Sequence, residues 1–178
     1  MSGIKRCSHG PRSNSRTDPV QSRLRQNIIT GDWVIYSPSR AKRPKDFRQE
    51  EQARAGLPSY DPVCPFCPGN EHMLESIILE YPHARGGSWQ TRVVPNKFPA
   101  VTPDGDTNRH AVGPYLTMKG VGRHEVIIES ALHNQQAGTM GPDEVSALIE
   151  TYHRRYVDLM REEEHMMVII FRNQGPKA

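Results

Sequence analysis

Apolar residues in this chain fall in short bursts separated by polar stretches. Residues 1–22 show no periodicity and are rich in Ser, Arg, Pro and Gly, which predicts a disordered leader ahead of a domain over 23–178. The burst from Ile28 to Tyr36 predicts two short strands around a Thr30-Gly31-Asp32 turn. Ser37 to Pro44 reads as a loop bracketed by prolines, and residues 45–61 as an exposed charged stretch. Ile77 to Glu80 fits a short strand, and Gln90 to Val94 a better one. The latter runs into Pro95-Asn96-Lys97-Phe98-Pro99, a turn held between two prolines. Residues 101–122 read as a long irregular loop, and Glu125 to Ser130 as a strand of β-branched residues.

One helix stands out. Gly141-Pro142 opens it, and Asp143 and Glu144 suit its positive end. Val145, Leu148, Ile149, Tyr152, Leu159 and Met160 keep the three-and-four spacing of one buried face. The helix is expected to end near Glu164, and residues 166–172 to return as a buried strand. Several strands, one long helix and one more strand predict an α+β fold with a mostly antiparallel sheet.

Composition narrows the class. At 178 residues the chain suits one domain of ordinary size. A mean hydropathy of −0.69 predicts long loops or ragged ends. No apolar run approaches the roughly 20 residues that span a bilayer, and no apolar segment follows the basic N-terminus as in a secretory signal. A cytoplasmic location is the expectation. Residues 1–48 carry 11 Lys/Arg against 3 Asp/Glu, while the remainder carries 12 against 17. The basic portion could face phosphates or be a solvated tail.

The chemistry concentrates in Cys64-Pro65-Phe66-Cys67-Pro68-Gly69-Asn70-Glu71. Two thiols three positions apart, with proline and glycine beside them, form a tight knuckle whose usual occupant is zinc. Cys7 lies alone, so three cysteines do not make a disulfide framework. The knuckle supplies two of four ligands, and histidines are the candidates for the rest. Placement at a rigid strand end favours His124 and His133, and spacing alone does not choose between them.

Four segments in order resemble the N-terminal half of the galactose-1-phosphate uridylyltransferase family, within the histidine-triad (HIT) superfamily. They are Ile29 to Pro44, Cys64 to Glu71, Arg92 to Ala100, and Gly122 to Ser130 running on to His133. The resemblance implies a HIT-like fold and nucleotidyl transfer through a nucleotidyl-histidine intermediate, from a nucleotide sugar to a hexose 1-phosphate. It implies zinc held by Cys64, Cys67 and His133, completed by the first histidine of a His-Pro-His-type motif whose second histidine is the nucleophile. That motif follows a Phe-x-Asn-x-Gly segment, here Phe171-Arg172-Asn173-Gln174-Gly175. The chain ends at Ala178, so it is expected to stop short of the catalytic motif.

Arg40 and Arg43 match arginines that reach the nucleotide-sugar phosphates, often across a homodimer interface. Arginine suits the task because its planar fork holds two oxygens. Asn96 and Phe98 match residues near the nucleoside, while Lys97 departs from members with an acidic residue there. Val126 would pack beside the base, and Asn173 would contact the phosphate region. Each also has a structural reading, as surface cation, strand core or turn former. The resemblance leaves uridylyl against adenylyl chemistry open, with UDP-glucose or ADP-glucose as donor. Two other readings are a zinc knuckle that binds nucleic acid through its basic first quarter, and an inactive remnant acting through dimerisation. The first lacks a second cysteine pair and interleaved aromatic and basic residues, which makes nucleic acid an unlikely partner.

Purified 1–178 is expected to show no sugar 1-phosphate exchange with either nucleotide sugar and to hold zinc less firmly than a four-ligand site. Robust turnover would show that another histidine does the chemistry.

Overall fold

The computed structural model describes residues 21–38, 40, 56–83, 86, 88–162 and 167–173. Among the described residues seven strands form two antiparallel sheets, and one long helix packs on the second. In chain order the strands are β1 (Arg23–Gln26), β2 (Trp33–Tyr36), β3 (Leu79–Pro82), β4 (Trp89–Pro95), β5 (His110–Val112), β6 (Tyr115–Lys119) and β7 (Glu125–Ile128); helix α1 (Pro142–Met160) follows. The first sheet has the order β2-β1-β6-β5 and the second β3-β4-β7. The expected α+β class holds, with two sheets in place of one. No described helix is long and apolar enough to cross a membrane.

The first hairpin lies earlier than its apolar burst suggests. Asn27 accepts the Ile29 and Thr30 N–H groups on its side-chain oxygen (2.9 and 3.3 Å). This turn removes Ile28 and Ile29 from the ladder and leaves Ile29 89% exposed. β1 therefore draws on Arg23–Gln26, and its register pairs Leu24 with Ile35. β3 likewise sits two residues beyond the expected strand.

Residues 101–122 are not one irregular loop. They contain the β5–β6 hairpin, with Val112 opposite Tyr115 across Gly113-Pro114. Gly113 takes a φ of +59°, which lets a two-residue connection reverse the chain.

β4 is the centre of the second sheet and is buried on both faces. Thr91, Arg92, Val93 and Val94 are all nearly inaccessible. α1 crosses it through Ala147, Leu148 and Thr151. The Thr151 hydroxyl donates to the Ala147 carbonyl (2.8 Å), so it accepts from the Thr91 hydroxyl (2.6 Å). This small, polar stripe lets the helix approach closely, and it turns the expected apolar face partly outward. Leu148 is buried, but Val145, Ile149 and Met160 are exposed. The helix opens as expected, with the Gly141 N–H donating to Glu144 (2.7 Å). It ends at Met160, short of the expected Glu164.

Residues 167–173 form no strand, contrary to expectation: among the described residues β7 pairs with β4 alone and no ladder takes them up. They are tethered by Arg172, which donates to both Glu129 oxygens (2.8 and 3.0 Å). The Tyr152 hydroxyl donates to the same carboxylate (3.0 Å). Burial, then the Glu129 hydrogen bond, pushes that phenol up to about 12.

Arg92 joins the sheet to the cysteine knuckle. Its guanidinium lies over the Trp89 ring at 4.3 Å and donates to Glu80 (2.6 Å), directly opposite on β3, and to Glu71 (2.8 Å). The Arg92 hydrogen bond holds the Glu71 carboxyl below its ordinary value. Replacing Arg92 with Ala should cost about 2–3 kcal/mol in urea denaturation, through lost packing and lost charge-assisted bonds. Lys should recover only part, since it cannot reach both carboxylates with a planar fork.

Candidate metal centre and nucleotide site

The knuckle is a chain of three-residue turns. Cys64 N–H bonds Asp61 O, Cys67 N–H bonds Cys64 O, and Asn70 N–H bonds Cys67 O, each at 3.2 Å; Met73 N–H then bonds Asn70 O at 2.9 Å. A three-residue repeat stacks positions i and i+3, so both thiols face the same side. Asn70, 5% exposed, locks the turns from within. Its amide donates to Cys64 O (2.8 Å) and Asp61 O (3.1 Å), and its oxygen accepts from Tyr60 (3.3 Å). Gly69 turns the chain at a φ of +90°, a conformation costly for a residue with a side chain.

His133 reaches this knuckle from beyond the end of β7. Its backbone N–H donates to Ser59 O (2.9 Å), and the Asn134 amide donates to Leu57 O (3.0 Å). Cys64 Sγ, Cys67 Sγ and a His133 ring nitrogen lie within 4.8 Å of one another. Cys67 Sγ is 3.5 Å from His133 Nδ1. Two donors on a tetrahedral zinc at ordinary bond lengths would be separated by about 3.6 Å, so the residues fit the ion. Burial pushes the Cys67 thiol up, opposed by the Asp61 N–H that donates to its sulfur at 3.4 Å. A bound cation would favour the thiolate. Among the described residues no fourth donor joins the cluster.

A second group gathers at the other end of β7. The Asn96 N–H donates to the His124 carbonyl (2.9 Å), and the Phe98 N–H donates to the Asn96 side-chain oxygen (2.8 Å). The Ala100 N–H donates to His124 Nδ1 (2.9 Å), and the Asn96 amide lies 3.2 Å from Nε2. His124 is thus committed to the Pro95–Ala100 turn and is no part of the metal cluster. Ser37 Oγ donates to Pro99 O (3.1 Å), which lays the Arg40 loop against that turn. Burial, then the Arg40 charge, lowers the His124 pKa.

The remaining candidates are dispersed. Lys97 is exposed, Val126 pairs with Val94 within the sheet, and Asn173 is exposed beside the Arg172 tether. Arg43, Cys7, His9 and His165 lie outside the described residues.

Residues 13–178 match the family model described as galactose-1-phosphate uridyl transferase, N-terminal domain. The chain belongs to that family. It is 32% identical over 158 residues to an ADP-glucose phosphorylase of Arabidopsis thaliana, covering 87% of this chain and 44% of the relative. It is 31% identical over 167 residues to a galactose-1-phosphate uridylyltransferase of Saccharomyces cerevisiae, covering 86% of this chain and 44% of the relative. The chain thus spans less than half the length of those relatives. A solved uridylyltransferase structure shares its fold at a TM-score of 0.52 and 18% identity, covering 79% of this chain and 36% of the other.

Three supporting residues of these groups are not evident from the sequence motifs. Asp61 and Asn70 extend the cysteine spacing by one step of three on each side, a signal present in the sequence. His124 was weighed only as a ligand; nothing in its local sequence shows that the turn after β4 uses its ring. Because the His124 pKa is lowered in the folded state, its stabilising contribution is complete above its unfolded value near 6.5. It should be lost as the pH falls through that value toward the folded one. Thermal melts from pH 8 to 5 should show this slope in the native chain and a shallower one in His124→Ala.

Proposed function

We propose that this chain supplies the zinc-binding and nucleotide-binding portion of a nucleotidyltransferase acting on nucleotide sugars and hexose 1-phosphates. The observation that carries this reading is the division of labour along β7. Two thiols and an imidazole converge beyond one end, and an arginine, an asparagine and a histidine gather at the other. A four-residue strand spans about 13 Å, so the two groups are separated by one rigid element.

In this reading Arg40 sits where its fork can hold phosphate oxygens, and its positive field already reaches His124. Asn96 and Phe98 are set by the His124-centred turn to face the nucleoside. Arg43, Lys97, Val126 and Asn173 are proposed as further binding residues. Zinc on Cys64, Cys67 and His133 would supply a structural cross-link between the knuckle and the end of β7. The chain contributes groups that bind and orient, and the attacking histidine of the reaction is assigned to none of those described. The relatives' names leave two donors, ADP-glucose and UDP-glucose, on an equal footing.

Calorimetric titration of this chain with ADP-glucose and UDP-glucose tests the reading. At least one should bind, and Arg40→Ala should weaken it about 10- to 100-fold, the loss of one or two charge-assisted bonds. Binding of neither, or undiminished binding by the Arg40→Ala variant, would sink the assignment. Sugar 1-phosphate exchange by the full-length protein then separates uridylyl from adenylyl chemistry.

A further inference from the structure

Asp61 touches every part of the metal cluster, and none of the motif arguments assigns it a role. Its N–H donates to Cys67 Sγ (3.4 Å). Its carbonyl accepts from Cys64 N–H (3.2 Å) and from the Asn70 amide (3.1 Å). Its carboxylate is divided. Oδ1 accepts the Val63 N–H (2.9 Å), a turn that fixes how the group is rotated. Oδ2 then falls 3.9 Å from His133 Nε2, beyond direct hydrogen-bond reach but close enough for its negative charge to act on the ring. The other ring nitrogen of His133, Nδ1, faces Cys67 Sγ at 3.5 Å.

A neutral imidazole carries one proton, on one nitrogen or the other. A proton on Nδ1 would point at the sulfur and block the donor position. A proton on Nε2 lies on the side of the Asp61 carboxylate and leaves the Nδ1 lone pair facing the thiols. An anion beside Nε2 favours the second arrangement, and an oriented ring is what a metal-ligating histidine needs.

We propose that Asp61 is the positioning residue of this centre: its carboxylate holds His133 in the Nε2–H tautomer, so that Nδ1 is kept for a metal ion. The proposal rests on reading Cys64, Cys67 and His133 as a metal site. It gives Asp61 two tasks, one through the backbone and one through the side chain. The backbone sets the thiols, and the carboxylate sets the imidazole. His133 is itself pinned by its N–H to Ser59, two residues from Asp61, so the carboxylate and the ring are placed by the same short segment.

Asp61→Asn separates the two tasks. The amide oxygen can still accept the Val63 N–H, and the backbone bonds to Cys64, Cys67 and Asn70 are untouched. Only the negative charge facing Nε2 is removed. Two measurements apply to the native chain and to this variant, with circular dichroism as the check on folding. The first is nitrogen-15 NMR of the His133 ring in metal-free protein, at a pH where imidazole is neutral. The native ring should be Nε2–H, and the variant should show a mixture of tautomers. The second is competition for zinc against a chromophoric chelator, in which the variant should bind about 10- to 100-fold more weakly. An Nδ1–H ring in the native chain overturns the proposal whether or not the variant folds. So does a folded variant with native tautomer and native zinc affinity. If the native chain takes up no zinc, the metal reading falls by itself, and the tautomer measurement still decides the role of Asp61.

Discussion

The burial of β4 on both faces is the constraint on which the other features depend. A strand covered by α1 on one side and by its neighbours' side chains on the other cannot slip, because a one-residue shift would exchange its two sets of side chains. Its register against β7 places Val94 opposite Val126 and Pro95 opposite Glu125. The turn after β4 therefore meets the start of β7, where Asn96 finds His124. The far end of β7 leads on to His133. Both candidate sites inherit their positions from one strand pair.

Arg92 extends that order to the knuckle. A guanidinium buried in a central strand is costly unless its donors are used. Here two carboxylates take its Nε and Nη2 donors, one across the sheet and one from the residue that follows Asn70, while the buried Nη1 has no partner among the described residues. The second of these couples a loop of turns, which has little core of its own, to the most buried element of the fold. The knuckle's internal bonds shape it, and Arg92 orients it.

Much of this was legible in the sequence where one local rule governs a segment. The Gly141-Pro142-Asp143-Glu144 run marks a helix start by capping alone, and the structure agrees. The spacing of Cys64 and Cys67 marks the knuckle of turns by itself. His133 required the family resemblance, since it meets the knuckle through a contact 66 residues away in sequence. The misreadings share a cause. Ile28 and Ile29 look like strand, but the Asn27 side chain captures the Ile29 and Thr30 N–H groups in a turn. Met167 to Phe171 look buried, but no partner strand takes them. The helix face looks apolar, but its closest contact is a pair of threonines. In each case a longer-range or side-chain-to-backbone interaction overrode the pattern of apolar positions.

The separation between Cys67 and His133 has an entropic side. Closing a loop of that length costs the unfolded chain considerable entropy. The thiols lie within one short stretch of chain, whereas the imidazole meets them through the segment beyond β7 that docks on Ser59. A metal ion held by all three would tie that segment to the knuckle, a cross-link that a reducing environment cannot cut.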